Sequence, residues 1–285
     1  VYPVEVKSAA NKDSQKMIRI LTANVLTPNR KAKDLIDLVS ENVPDIIVTL
    51  ESDKWWQTRL DTLEPDYPYS IKCPLDNLYG MHVYSKLPLT DSQIDYLVEP
   101  DIPSMHTLVS LPSGHKIRMH FLHPAPPSPT ENEESSERDA ELIVVAKSVA
   151  ETGTPVIVTG DLNDVAWSET TRLFRKISGL LDPRVGRGMF NTFHAKFWFL
   201  RWPLDHVFHS EHFTLSSIRR LRNFGSDHFA LFTELVFEIG RDVQQSGLEA
   251  DQDDLAWAKA KADSQGVNKK DVPQPGKHRI IKGDI

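Results

Sequence analysis

Pro155-Val156-Ile157-Val158-Thr159-Gly160-Asp161-Leu162-Asn163 is the stretch on which the reading of the whole chain turns. Val156 to Thr159 form a short β-branched run bounded by Pro155 and Gly160, the pattern of a strand buried on both faces. The run stops on an acidic residue and an amide. Buried strands of α/β folds end where ligands and catalysis are placed, so Asp161 and Asn163 are candidates for chemistry.

The same pattern recurs on both sides of this segment. Met17 to Asn24 reads as a strand ending on Asn24, and Asp45 to Leu50 as a buried strand ending at Glu51. Between them Leu35, Ile36, Leu38 and Val39 stand at helical spacing over Lys31 to Asn42, and a second helix is read from Trp55 to Leu63. Tyr79 to Ser85, Thr107 to Leu111 and Lys116 to Leu122 carry β pattern, the last two joined by the turn Pro112-Ser113-Gly114, and the third runs into His123. A proline-dense loop from His123 to Pro129 and an acidic, serine-rich segment precede a helix from about Arg138 to Thr152. Two late strands, near Leu204 to His209 and Phe229 to Phe237, bring Asp205, Asp227 and His228 to strand ends. Taken singly, each polar residue has an ordinary structural reading: a turn for Asn24, a helix N-cap for Glu51 or Asp161, a satisfied core histidine for His228.

Alternating strands and helices over roughly the first 240 residues fit one α/β domain. The expected organisation is a lead-in over 1–16, a catalytic domain over 17–239 and a polar C-terminal tail over 240–285, with a short helix around Asp254 to Ala262. With 40% hydrophobic and 26% charged residues and a net charge of -7, the chain has an ordinary globular composition and no basic excess for passive capture of nucleic acid. A metal-dependent nuclease stays open, because its ion brings positive charge to an anionic phosphate. The single cysteine, Cys73, rules out an intramolecular disulfide and a cysteine zinc site. No apolar run of about 18 residues is present. The first residue is Val1, which sets up the expectation of a trimmed or processed domain behind an upstream anchor.

Six segments stand in a recognisable order: Thr22-Ala23-Asn24-Val25, Leu50-Glu51, Leu122-His123-Pro124, Gly160-Asp161-Leu162-Asn163, Pro203-Leu204-Asp205-His206 and Gly225-Ser226-Asp227-His228. In them the chain resembles the endonuclease/exonuclease/phosphatase superfamily, over roughly Ile18 to Phe237. The resemblance implies a DNase I-like four-layer α/β sandwich of two mixed sheets flanked by helices. It also implies a magnesium-dependent phosphoesterase, with manganese as a substitute ion. Glu51 is then the principal metal ligand, with Asn24 and Asp227 near the ion. His228 is the acid/base histidine, Asp205 fixes its tautomer, and Asp161 and Asn163 position the attacking water and the scissile phosphate. His123 donates to a non-bridging oxygen. Whether Asp161 or His228 takes the proton from water is open at this stage. Leu26 stands where apurinic endonucleases of this superfamily carry an acidic residue, and His123 where they carry tyrosine, which points away from strict DNA repair. Tyr67-Pro68-Tyr69, Ser85-Lys86-Leu87-Pro88 and Trp167-Ser168 are similar to a bacterial membrane-anchored subgroup, so an extracytoplasmic location is expected.

Phe193 to Trp202, including Arg201, mixes aromatic and basic residues just before Asp205. It suits stacking on bases, gripping phosphates, lying against lipid, or core packing. Arg222, with Arg219 and Arg220, is read either as a contact to flanking phosphates or as part of a solvated loop, and Trp167 either as a pocket cover or as structural. The expected partner is a phosphate ester, either nucleic acid or a phospholipid or inositol phosphate. No obligate protein partner is expected. The competing class is a non-catalytic binding module that keeps the fold; the full set of site residues argues for the enzyme.

Overall fold

The structure is a computed structural model that describes residues 3–126, 136–150, 153–238 and 245–276. Most of the proline-dense and acidic loop expected after His123, the end of the following helix, and parts of the expected tail lie outside the described residues.

Eleven strands and five α-helices are present among the described residues. The first sheet has the order β10 (Phe213–Arg220), β11 (Leu231–Phe237), β1 (Met17–Asn24), β2 (Ile46–Leu50), β4 (Met81–Ser85), β3 (Tyr69–Cys73). The second runs β5 (Leu89–Asp95), β6 (Ser104–Ser110), β7 (Lys116–Leu122), β8 (Val156–Asp161), β9 (Asp205–His209). Each sheet contains one parallel pair, β1 with β2 and β7 with β8, among antiparallel ones. Both sheets are therefore mixed.

Strand periodicity sorts the side chains into layers. Ile18, Ile20, Ile46, Val48 and Leu235 of the first sheet meet Met119, Phe121, Ile157 and Val207 of the second in one core between the sheets. The intervening residues face outward. Leu21, Ala23, Ile47 and Phe232 pack under α1 (Ala32–Asn42) and α2 (Lys54–Leu60). Leu122, Val156, Val158 and Phe208 pack under α3 (Ser136–Ala150) and α4 (Glu169–Ser178). Helix, sheet, sheet, helix is the expected four-layer sandwich. One polar bridge crosses its core, where Thr22 Oγ1 lies 2.9 Å from Thr159 Oγ1 and ties β1 to β8 one step below the strand ends.

Strands β3, β5 and β10 and helix α4 were not expected. The three strands lie at sheet edges, and β5 and β10 carry register shifts, so they lack the apolar alternation that marks a strand with neighbours on both sides. Arg219 and Arg220 accordingly end a strand rather than occupy a loop. The polar stretch after residue 240 is also less detached than its composition implies. Helix α5 (Gln252–Ser264) buries Ala258 and Ala262, Lys147 Nζ donates to Ala258 O at 3.0 Å, and Arg118 Nε donates to Pro275 O at 3.1 Å. Its contacts are made by small side chains and ion pairs, which leave no hydropathy signal. At the other end Val6 is buried and Ala9 N donates to Leu215 O at 2.9 Å, so the lead-in is stitched to the β10 edge.

Candidate active site

Adjacent strand ends from both sheets converge at one end of the sandwich. Asn24 is the last residue of β1, and Glu51 follows β2 directly beside it, since Asn24 pairs with Leu50. From the second sheet come His123 after β7, Asp161 at the end of β8, and Asp205 opposite it on β9. Inward-facing alternation along β8, Ile157 then Thr159 then Asp161, carries the core column straight into the carboxylate. Gly160 between them is required by crowding: a Cβ there would sit 1.8 Å from Leu122 O. His228 enters just before β11. The Ser226 hydroxyl holds it, donating to Asn24 O at 2.8 Å while accepting from His228 N at 3.0 Å.

The side chains form a connected set. His228 Nδ1 lies 2.8 Å from Asp205 Oδ2, which fixes the proton on Nδ1, and Nε2 points to Asp161 Oδ2 at 3.5 Å. Asn24 Nδ2 donates to Glu51 Oε1 at 2.7 Å and to Asp161 Oδ2 at 3.0 Å, bridging the two sheets. The Asn163 main chain donates to Asp161 Oδ1 at 3.0 Å, and its side-chain amide donates to Pro124 O at 3.0 Å. His123 Nε2 is 4.0 Å from Asp161 Oδ2. Glu51 and Asn163 both hold left-handed backbone, φ 57° and 49°, a strain of about 1–3 kcal/mol each that clusters at functional sites.

Electrostatics follow from burial and like charge. Burial, with Asp161 and Asp227 nearby, pushes Glu51 up to about 7 against the hydrogen bond from Asn24. Burial also raises Asp161, with His228 pulling the other way. At His228, burial works against the charged ring, but Asp205, Asp161 and Asp227 outweigh it and raise the group to about 10. Burial lowers His123, leaving it neutral.

The donor set fits a hard divalent cation. Buried Glu51 Oε2 has no hydrogen-bond partner, and the carboxylates Glu51, Asp161 and Asp227 share one end of the pocket, an arrangement that a cation bound by oxygens relieves. Asp161, Asp205 and His228 also lie close enough together to hold an ion. There, however, the Nδ1 of His228 is occupied by Asp205, and magnesium disfavours imidazole, so the Glu51 end is the better match. Asn24 turns its amide nitrogen toward the carboxylates while its Oδ1 accepts from Leu26 N at 3.0 Å, which makes it an orienting group for the ligand carboxylates.

A pocket of about 470 Å³ opens over these residues, lined by Glu51, Asp161, Asn163, Asp227 and His228 and walled by Arg138, Phe193 and Trp202. Four residues expected to touch the substrate, His123, Arg222, Arg201 and Trp167, are absent from its lining, and His123 is buried. Arg222 Nη2 pairs with Glu41 at 2.9 Å, Arg201 lies over the Phe229 ring at 5.0 Å, and Trp167 is 57% exposed on the loop before α4.

Sequence reasoning missed Arg138, whose Nη1 donates to Asn163 O at 2.8 Å. It also gave no role to His82, whose Nδ1 lies 2.6 Å from Ser52 Oγ directly behind Glu51. The nearby signal was Gly80, where a Cβ would meet Ser52 O at 2.1 Å.

Two mixed sheets with a buried histidine–carboxylate pair and facing acidic residues at their shared end define a DNase I-like sandwich hydrolase. The chain belongs to the endonuclease/exonuclease/phosphatase family, whose model matches residues 21–228. Members of that family are phosphate-ester hydrolases. No curated protein sequence matches the chain. Among solved structures it is similar to D. rerio TDP2 complexed with single strand DNA product (17% identity, TM-score 0.63, 77% of this chain and 98% of that one). It is also similar to the human Nocturnin catalytic domain with bound sulfate (18%, 0.63, 79% and 96%). A third is the endonuclease/exonuclease/phosphatase from Beutenbergia cavernae (16%, 0.65, 80% and 76%). At these identities the likeness is one of fold.

Proposed function

We propose that the protein is a magnesium-dependent phosphodiesterase that cleaves its substrate by direct attack of water. The observation that carries this reading is the Asp205–His228–Asp161 line: a buried imidazole fixed at 2.8 Å on one side and aimed at a second carboxylate 3.5 Å away on the other. With its group near 10, His228 carries both protons at neutral pH and donates from Nε2 to a phosphoryl oxygen as negative charge builds there. Asp161, held on one oxygen by Asn163 N and on the other by Asn24 Nδ2, is the acceptor for the proton of the attacking water. Glu51, with Asp227, would hold the ion, and Asn24 would orient the Glu51 carboxylate. When bound, magnesium polarises the phosphoryl group and offsets the charge of the carboxylates; manganese suits the same oxygen donors.

Both a nucleic acid and a phospholipid or inositol phosphate supply such an ester. D. rerio TDP2 with its single strand DNA product supports the first. The test is hydrolysis of bis-p-nitrophenyl phosphate, p-nitrophenyl phosphate, plasmid DNA and sphingomyelin, each with magnesium or EDTA. Wild type is compared with Asp161→Asn, His228→Ala and Glu51→Gln. Metal-dependent turnover that drops by about 100-fold or more in each variant is expected. Near-wild-type turnover in any two variants would sink the assignment, and silence on every substrate would favour a binding module.

A further inference from the structure

Among the described residues, no helix is long and apolar enough to cross a membrane. The exposed apolar surface is nevertheless concentrated at one place. Phe197, Trp198, Phe199 and Leu200 are 46%, 81%, 64% and 43% exposed, four in succession, whereas other exposed large apolar residues are scattered along the sequence. A soluble surface tolerates single apolar residues, but a contiguous patch of this kind marks an interaction site.

The four residues form the tip of a small hairpin. Its stem is the Phe193–Trp202 bridge, continued by His194 N donating to Leu200 O at 3.2 Å. The stem is anchored to the site, since Phe193 bridges to His228, its ring lies 4.9 Å from the imidazole, and both stem aromatics line the pocket. Phe197 follows Phe193 by four positions, so the tip begins at most about 14 Å from the pocket wall.

Two chemistries suit exposed aromatics: stacking on bases and insertion at a lipid interface. Ring orientation and charge separate them. Phe197 with Phe199, and Trp198 with Phe199, meet edge to face at 60° and 80°, which offers no ladder of parallel faces to successive bases. Leu200 has no face to stack. Among the described residues the arginines around the hairpin are engaged: Arg201 and Arg220 both lie over the Phe229 ring, at 5.0 Å and 4.5 Å, and Arg222 is paired with Glu41. By contrast, a tip of Phe, Trp, Phe and Leu with Lys196 at its foot is the composition of an interfacial anchor, apolar outermost and cationic at phosphate depth.

We propose that the 194–200 hairpin docks the protein on a phospholipid bilayer by inserting Trp198, Phe199 and Leu200 to headgroup depth, which sets the pocket at the membrane surface. This inference does not rest on the phosphoesterase reading, because docking requires no turnover.

The experiment is co-sedimentation of the full chain with phosphatidylcholine vesicles at low salt and at about 0.5 M salt, where surface charge attraction is screened. Binding is expected at both, and the Trp198→Ala/Phe199→Ala double variant should lose about a hundredfold in affinity while its thermal midpoint stays put. Quenching of tryptophan fluorescence by brominated lipid reads insertion in the wild type, and Trp198→Phe should remove most of it. No binding, binding that vanishes at high salt, or binding unchanged in the double variant each overturns the proposal. So does a double variant that instead loses affinity for a single-stranded oligonucleotide, or one that turns a self-associating wild type into a monomer.

Discussion

Replacing Asp205 by Asn keeps the shape of the His228 support and removes its charge. In the wild type the imidazole is largely buried at the pocket wall, 2.8 Å from Asp205 Oδ2, and held near 10. The gap between that value and the ordinary imidazole value of about 6.5 corresponds to about 5 kcal/mol in favour of the charged ring, with burial already subtracted. Among the described residues Asp205 is its nearest charge and the only side chain hydrogen-bonded to the ring. Taking away one close carboxylate lowers such a group by about 1–3 pH units, and leaves the neutral ring free to choose the wrong tautomer. We expect kcat for bis-p-nitrophenyl phosphate to fall by about 10²–10⁴ at pH 7, as for loss of the orienting carboxylate elsewhere. The basic limb of the pH–rate profile should also move toward neutrality, because the charged donor form is lost as pH rises through a lower value. Rates at pH 6 to 10 and imidazole NMR titration of the same samples measure the two effects. A kcat within about threefold of wild type, or an unmoved His228 titration, would refute the reasoning.

Asn24→Ala leaves Glu51 and Asp161 facing each other without the bridging amide. Magnesium affinity by calorimetry should weaken by about 10–100-fold, more than thermal stability suffers. Gly160→Ala drives a methyl into Leu122 O, 1.8 Å away across the parallel β7–β8 pair, and should cost about 3 kcal/mol or more in urea unfolding, with loss of activity following the fold. Acid should destabilise the protein below neutrality. Burial lowers His82 and His209 to about 4 and His106 and His206 to about 3, so their contribution is complete above about pH 6.5 and is lost as pH falls toward those values. Burial lowers His120, His123 and His212 as well, and the raised carboxyls Glu51 (about 7), Glu141 (about 8), Glu5, Asp45 and Asp161 act in the opposite sense, so that seven histidines outnumber five carboxyls. The urea midpoint at pH 5 should lie below that at pH 7, and equal midpoints would contradict this account.

The interior of the fold was legible because its central strands bury both faces. The runs ending at Asn24, Leu50, Leu122 and Asp161 announce themselves as apolar segments stopped by polar residues, and the site inherits that clarity. Residues placed by pairing across the chain were not legible. Arg138 opens a helix in charged sequence, and nothing local ties it to Asn163 O. His82 alternates with core residues and looks like any buried histidine until Ser52 is found behind Glu51. Edge strands, and the docking of α5 onto the domain though not the helix itself, were obscured for a related reason, since half of their partners are solvent or ion pairs. Conversely, Arg222 and Trp167 sit close to the motifs in sequence but do not line the pocket: Arg222 pairs with Glu41 and Trp167 is exposed on the loop before α4.

The pairing of Lys261 with Asp139 has a consequence for the order in which the enzyme comes into being. Asp139 accepts from Arg138 on one oxygen and from Lys261 Nζ, 2.6 Å away, on the other, while Arg138 grips the carbonyl of Asn163. The six motifs are all synthesised by His228, yet the second cation that balances this buried carboxylate arrives thirty-three residues later on α5. A nascent or truncated chain ending after β11 would carry every residue of the catalytic set with one wall of its pocket unfinished. The support of that wall is thus complete only once α5 is in place.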